Sequence, residues 1–142
     1  MFGYDYATQN YYFVTICTHN KKCIFGKPGS LSAIGEITQK HLIKIPNIYP
    51  GVSIDKFIVM PNHIHAIFVL DGLDTPSLSR IIGQFKMSVT KEIRDNYKID
   101  TVWQRSFHDH IIRNQKDYER IWLYIHGNPQ KWNEDCFFSE DW

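Results

Sequence analysis

The sequence predicts an α+β sandwich: a four- or five-stranded antiparallel sheet with helices packed on it, and one extra helix at the C-terminal end. Three observations carry that expectation. Strand-like and helix-like hydrophobic periods alternate along the chain in the order strand, helix, strand, strand, helix, strand, helix. A length of 142 residues suits one core, so residues 1–142 are read as a single domain. The composition, 43% hydrophobic and 22% charged, belongs to a chain that folds. The first six elements match the ferredoxin-like alternation, and the last is an addition.

Each element has its own local reason. Tyr11 to Thr18 is rich in aromatic and β-branched residues and reads as a strand. His19 to Ser30, with Asn20, Gly26, Pro28 and Gly29, reads as a loop. Ser32 can cap a helix to about Ile45, with a stripe through Ile34, Ile37/Thr38, Leu42 and Ile45. Pro46 and the Tyr49-Pro50-Gly51 turn are expected to end it. Val52 to Met60 and His63 to Leu70 read as two strands of a hairpin broken by Pro61-Asn62. Ser77 caps a long helix to about Tyr97, with Leu78, Ile81, Ile82, Phe85, Val89 and Ile93 on one side. Val102 to Arg113 reads as the fourth strand. Asp117 to about Gly127 is the last helix, stopped by Gly127 and Pro129.

Composition narrows the function classes. The formal net charge is +1 and the pI about 7.8, so any nucleic-acid surface must be a local patch. Cys17, Cys23 and Cys136 are odd in number with no C-x-x-C spacing, which argues against a disulfide framework or a zinc ribbon. Free thiols, no signal-peptide pattern at the N-terminus and no apolar run near membrane-spanning length lead us to expect a soluble cytoplasmic protein with no membrane partner.

Two groups of residues carry chemistry. His63 and His65 lie two apart in a strand, so their imidazoles face the same way and could begin a divalent-metal site. Two polar residues at a strand start explain the pair as well. His108 and His110 form a rival pair, and spacing alone does not choose between them. On the last helix, Tyr118, Ile121, Trp122 and Ile125 make a core stripe. Tyr124 lies off that stripe, with Arg120 and Asn128 one turn to either side. The trio suits phosphate chemistry: an attacking phenol, a guanidinium for the phosphate, an amide oxygen for a metal. A packing tyrosine and a helix-end asparagine are the plainer alternative.

Four stretches then bear a resemblance. They are Gly3-Tyr4-Asp5-Tyr6 with Tyr11 to Thr15; Met60-Pro61-Asn62-His63-Ile64-His65; Trp103-Gln104-Arg105 with His110-Ile111-Ile112-Arg113; and Tyr124-Ile125 with Asn128-Pro129 and Trp132. Together they resemble the single-tyrosine HUH transposases of small insertion sequences, above all the REP-associated branch. The resemblance implies that His63 and His65 are the metal ligands, that Asn128 takes the place of the third, amide ligand, and that Tyr124 is the nucleophile. It implies magnesium or manganese as cofactor, and single-stranded DNA beside a hairpin as partner. Insertion-sequence members are homodimers and REP-associated members can act as monomers, so oligomeric state does not carry over. His110 matches a histidine often seen in the family.

The reaction so implied is attack by Tyr124 on a phosphodiester, giving a 5′-phosphotyrosine and a free 3′-hydroxyl; a second strand's 3′-hydroxyl can then attack the phosphotyrosine, release the tyrosine and rejoin the DNA. Lys86, Lys91, Arg94, Arg105 and Arg113 are candidate phosphate contacts, and Trp103 or Phe107 could stack on bases. The alternative from another class is a module that binds single-stranded nucleic acid on a ferredoxin-like sheet without cutting it. A hydrolase built on His108 and His110 is a third.

Overall fold

The structure is a computed structural model that describes residues 10–27, 29–72 and 74–128. Its main sheet is four-stranded, in the order β4 (Val52–Met60), β5 (His63–Leu70), β1 (Asn10–Cys17), β6 (His108–Ile112), with every neighbouring pair antiparallel. That is the ferredoxin-like order, reached through two crossover helices, α1 (Ala33–Ile48) and α2 (Leu78–Tyr97). A third helix, α3 (Gln115–Gly127), follows the last strand. A two-stranded ladder of β2 (Gly26–Lys27) and β3 (Ser30–Leu31) lies apart from the main sheet.

Strand alternation divides the interior in two. Val14, Ile16, Ile64, Ala66, Phe68 and Leu70 face α1 and α2 and pack with Leu42, Ile45, Ile81, Ile82, Phe85, Val89 and Ile93. Tyr11, Ile67, Val69 and Ile112 face the other way and pack under α3 with Tyr118, Ile121 and Ile125. The central strand β5 is therefore buried along its whole length. A strand covered on both faces reads as a continuous apolar run, and Ile64 to Leu70 has that character.

The helix starts follow their caps. The Ser32 hydroxyl accepts from the Gly35 N–H, and the Ser77 hydroxyl accepts from the Arg80 N–H. Asn114 does the same for α3, accepting from the Asp117 N–H, so that helix begins at Gln115 and not at Asp117. Two other expectations are corrected. Helix α1 runs through Pro46 to Ile48. Pro46 itself is exposed, while buried Ile45 anchors the turn and its carbonyl accepts from the Tyr49 N–H. The fourth strand is only His108–Ile112; from Val102 to Phe107 the chain is irregular, with a single bridge between Trp103 and Thr18. The stretch His19 to Ser30 holds a short 3₁₀ turn at His19–Lys21 and the β2–β3 ladder.

Loop 18–25 braces the β4–β5 turn. Thr18 N–H donates to the Asn62 carbonyl and Phe25 N–H to the Pro61 carbonyl, each at 3.0 Å. A Cβ on Gly35 would lie 2.3 Å from the Phe25 carbonyl oxygen, so α1 can approach this loop only through a glycine. At the opposite side of the sheet, β4 shifts register between Ile54 and Lys56. Asp55, at that bulge, accepts a 2.9 Å hydrogen bond from the Tyr118 hydroxyl. No helix among the described residues is long and apolar enough to cross a membrane.

Burial, then the hydrogen bond to Asp55, pushes the Tyr118 phenol well above its ordinary value. A raised value means stability that is present below about pH 10 and lost as pH rises beyond it. Urea unfolding from pH 8 to 11 should therefore show stability falling at the alkaline end. Tyr118→Phe should flatten that fall and cost about 0.5–1.5 kcal/mol at neutral pH. An unchanged alkaline slope in the variant would remove Tyr118 as its source.

Candidate active site

His63 and His65 open β5 and face α3, the same way as Ile67 and Val69. Both are buried, at 0% and 1% exposure, and their ring centroids are 4.5 Å apart. Buried imidazoles need hydrogen-bond partners. Asn62, in the braced turn, supplies one: its Oδ1 lies 2.7 Å from His63 Nδ1. An amide oxygen only accepts, so His63 carries its proton on Nδ1 and presents a lone pair at Nε2. The Asn62 amide is oriented from its other side, where Nδ2 donates to the Lys21 carbonyl at 3.3 Å. Thr15, opposite His65 in the β1–β5 ladder, bonds its Nδ1 through Oγ1 at 2.9 Å. A proton on that Nδ1 gives both rings the same tautomer, the form in which a second partner holds a metal-ligating histidine.

Tyr124 closes the site from α3. It is 42% exposed, and its hydroxyl lies 3.5 Å from His65 Nε2. Its ring meets His65 at 5.3 Å between centroids and Phe13 edge-on at 6.1 Å. Tyr118, on the same helix, is 3% exposed, sits edge-on to Tyr11 and is committed to Asp55. The two tyrosines therefore take opposite roles, one packed and one presented. Asn128 follows at the end of α3, 2% exposed, and its Oδ1 accepts no hydrogen bond among the described residues. A buried acceptor left bare is costly and calls for a donor or a cation. No cluster of three or more His, Cys, Asp or Glu that could hold a metal occurs among the described residues. The donors an ion could use here are imidazole nitrogens and an amide oxygen, a thiolate-free set that admits manganese, or magnesium with water completing its shell.

The other expected site residues are dispersed. Arg120 is exposed and donates to the Asp117 carboxylate. The same carboxylate pairs with His110 Nε2 at 2.8 Å. Burial alone would raise the Asp117 carboxyl, but the hydrogen bonds from His110 and Arg120 outweigh it and hold it below the usual value. His108 and His110 are exposed on the edge strand β6, and His110 is engaged with Asp117. Arg113 and Arg105 are exposed, the latter in the loop before β6. Lys86 lies on α2, the helix on the opposite face of the sheet, and its ammonium donates to the Gln104 and Ser106 carbonyls. Trp103 packs against Phe25 and Phe85 and not as an open stacking platform. Sequence reasoning missed Thr15, Asn62 and Asp117. Asn62 had a signal, a turn asparagine immediately before a buried histidine. Thr15 had none, because its partner lies 50 residues away.

A ferredoxin-like sheet with paired imidazoles on its central strand, faced by a presented tyrosine from an added helix, is the frame of a DNA transposase. The chain belongs to the IS200-like transposase family, whose pattern matches residues 6–128. A Haemophilus influenzae protein of uncharacterized function is 35% identical over 161 residues, covering 96% of this chain and 89% of that one. A REP-associated tyrosine transposase of Escherichia coli K12 is 30% identical over 96 residues, covering 68% of this chain and 54% of its own length. A solved REP-associated tyrosine transposase bound to a REP hairpin superposes with a TM-score of 0.71 at 25% identity, over 92% of this chain and 73% of that one. The chain is thus similar to transposases of the REP-associated kind.

Nitration with tetranitromethane gives a direct check of the two tyrosine environments. Tyr124 should react and Tyr118 should stay unmodified, as read by peptide mass mapping. Preferential nitration of Tyr118 would contradict the packing of α3.

Proposed function

We propose that the protein cuts and rejoins single-stranded DNA beside a hairpin, with Tyr124 as nucleophile. The observation that carries this reading is the presented hydroxyl of Tyr124 against His65, one helical turn from the bare buried oxygen of Asn128. His63 Nε2, His65 Nε2 and Asn128 Oδ1 would hold the magnesium or manganese. When bound, that ion offsets phosphate charge and polarises phosphorus.

The chain's own residues do the rest. Asn62 accepts at His63 Nδ1, and Thr15, by accepting likewise at His65 Nδ1, would hold both rings with Nε2 forward. Phe13 and the α3 core limit the swing of the Tyr124 ring. The phenol oxygen attacks phosphorus as its proton passes to solvent, which reaches this half-exposed side chain. The bond from phosphorus to the 3′-oxygen breaks, and that oxygen leaves with the electron pair and takes up a proton. A 5′-phosphotyrosine remains on Tyr124. Attack by another strand's 3′-hydroxyl reverses the step, and no nucleotide cofactor is consumed. Arg120, Arg113, Arg105 and His110 are proposed to meet the DNA backbone, since they are exposed near α3 and β6. A hairpin partner is supported by the solved relative, which carries a REP hairpin.

Incubating the protein with labelled hairpin DNA and manganese should give a covalent adduct on a denaturing gel, mapped to Tyr124. Tyr124→Phe should lose the adduct and retain DNA binding. His63→Ala with His65→Ala should abolish cleavage while far-UV circular dichroism stays native. An adduct on Tyr118, or undiminished cleavage without the histidines, overturns the assignment. At one fixed salt concentration, single-stranded hairpin DNA should also bind more tightly than a linear duplex of equal length, because a net charge of +1 gives little non-specific duplex attraction. Equal affinities would count against a hairpin substrate.

A further inference from the structure

The loop between α2 and β6 is irregular, yet its stretch from Val102 to Ser106 is held at several points. His19 N–H donates to the Val102 carbonyl at 2.9 Å, and Gln104 N–H donates to the Cys17 carbonyl at 3.0 Å. The Trp103 indole packs between Phe25 and Phe85, and its Nε1 donates to the Lys86 carbonyl at 3.2 Å. Lys86 answers with its side chain: Nζ donates to the Gln104 carbonyl at 3.0 Å and to the Ser106 carbonyl. These two carbonyls flank Arg105. Ser106 is in the left-handed region, at φ 66, a conformation that persists where the surroundings determine it. Arg105 itself is exposed.

The anchor points also locate the loop. Cys17, which accepts from Gln104, is the ladder partner of His63 on its other side. Arg105 thus sits at the same end of the sheet as the imidazole pair, with β1 between them. Lys86 is half-buried and burial lowers its pKa from the usual lysine value. With two of its three donors directed at carbonyls, it is poorly placed to neutralise a phosphate.

We propose that Lys86 is a positioning residue: it clamps the backbone on both sides of Arg105 and so fixes the point from which that guanidinium reaches DNA lying along the His63 end of the sheet. The proposal rests on the DNA-processing reading above. A guanidinium fork suits a pair of nucleotide acceptors, either two phosphate oxygens or the O6 and N7 of a guanine. A freely moving lysine would contribute only charge.

The test needs two kinds of measurement on the whole chain. Without DNA, hydrogen exchange should show faster exchange at residues 103–107 in Lys86→Met and wild-type protection in Arg105→Ala. Lys86→Gln, which retains an NH2 donor, should recover part of the protection, and it serves if the methionine variant fails to fold. Unchanged protection in both Lys86 variants sinks the clamp. With DNA, hairpins carrying single-stranded flanks of varied sequence are titrated over a range of salt. Arg105→Ala should weaken binding by about 5- to 150-fold. Lys86→Met should weaken it to a similar degree, and the double variant no further. A loss of discrimination between flanks assigns a guanine edge to Arg105; a salt slope reduced by about one, with discrimination intact, assigns a phosphate. If the two substitutions act additively and each lowers the slope by about one, Lys86 is itself a phosphate contact and the proposal fails. If wild-type protein binds none of the hairpins, the DNA reading fails and takes the role of Arg105 with it, while the exchange data still decide the clamp.

Discussion

Burial of β5 on both faces is the constraint on which the rest of the structure depends. A central strand covered by α1 and α2 on one side and by α3 on the other has no access to water for its side chains. Polar groups placed there must be partnered within the protein or be held ready for a ligand. His63 and His65 are the polar groups so placed, and much of the surrounding architecture is explained by their needs. Thr15 comes from the neighbouring strand and Asn62 from the adjoining turn. That turn is fastened by loop 18–25, which in turn admits α1 at Gly35. Each of these contacts restrains the rotation of an imidazole.

Helix α3 meets the same constraint from outside. It must cover Ile67, Val69 and Ile112, and it does so with Tyr118, Ile121 and Ile125. Six residues separate Tyr118 from Tyr124, which turns them about 240° apart round the helix axis. Packing one therefore presents the other. The hydrogen bond from Tyr118 to Asp55 at the β4 bulge fixes the rotation, and with it the direction in which Tyr124 points. Core packing and the presentation of Tyr124 are consequences of one helical phase.

Much of this was legible in the chain. The serines at 32 and 77 are local caps, and the helices start where they say. Strands β1, β4 and β5 are legible from their aromatic and β-branched residues, which fit a sheet packed against a core. The same-face placement of His63 and His65 follows from a period of two, and the separation of Tyr118 from Tyr124 from a period of 3.6. The expectations that missed did so where a distant contact overrode a local rule. Pro46 does not end α1, because it falls on the exposed side of a turn anchored by buried Ile45. Val102 to Phe107 has strand-like composition, but Lys86, Cys17 and Thr18 claim its backbone groups before a partner strand can.

Between the two histidine pairs, spacing alone had no preference, and burial supplies it. His63 and His65 lie on the central strand, sealed between two cores, whereas His108 and His110 lie on an exposed edge. The same division runs through the protein. The sequence by itself determined the elements, their apolar faces and the side of each helix or strand on which a reactive group sits, because those depend on the local repeat of the backbone. Only the tertiary structure decided which reactive groups meet, which tautomer an imidazole adopts and which cations are already engaged. Those outcomes depend on hydrogen bonds across tens of residues, such as Thr15 to His65 and Tyr118 to Asp55, and no local periodicity encodes the distance between two side chains so far apart in the chain.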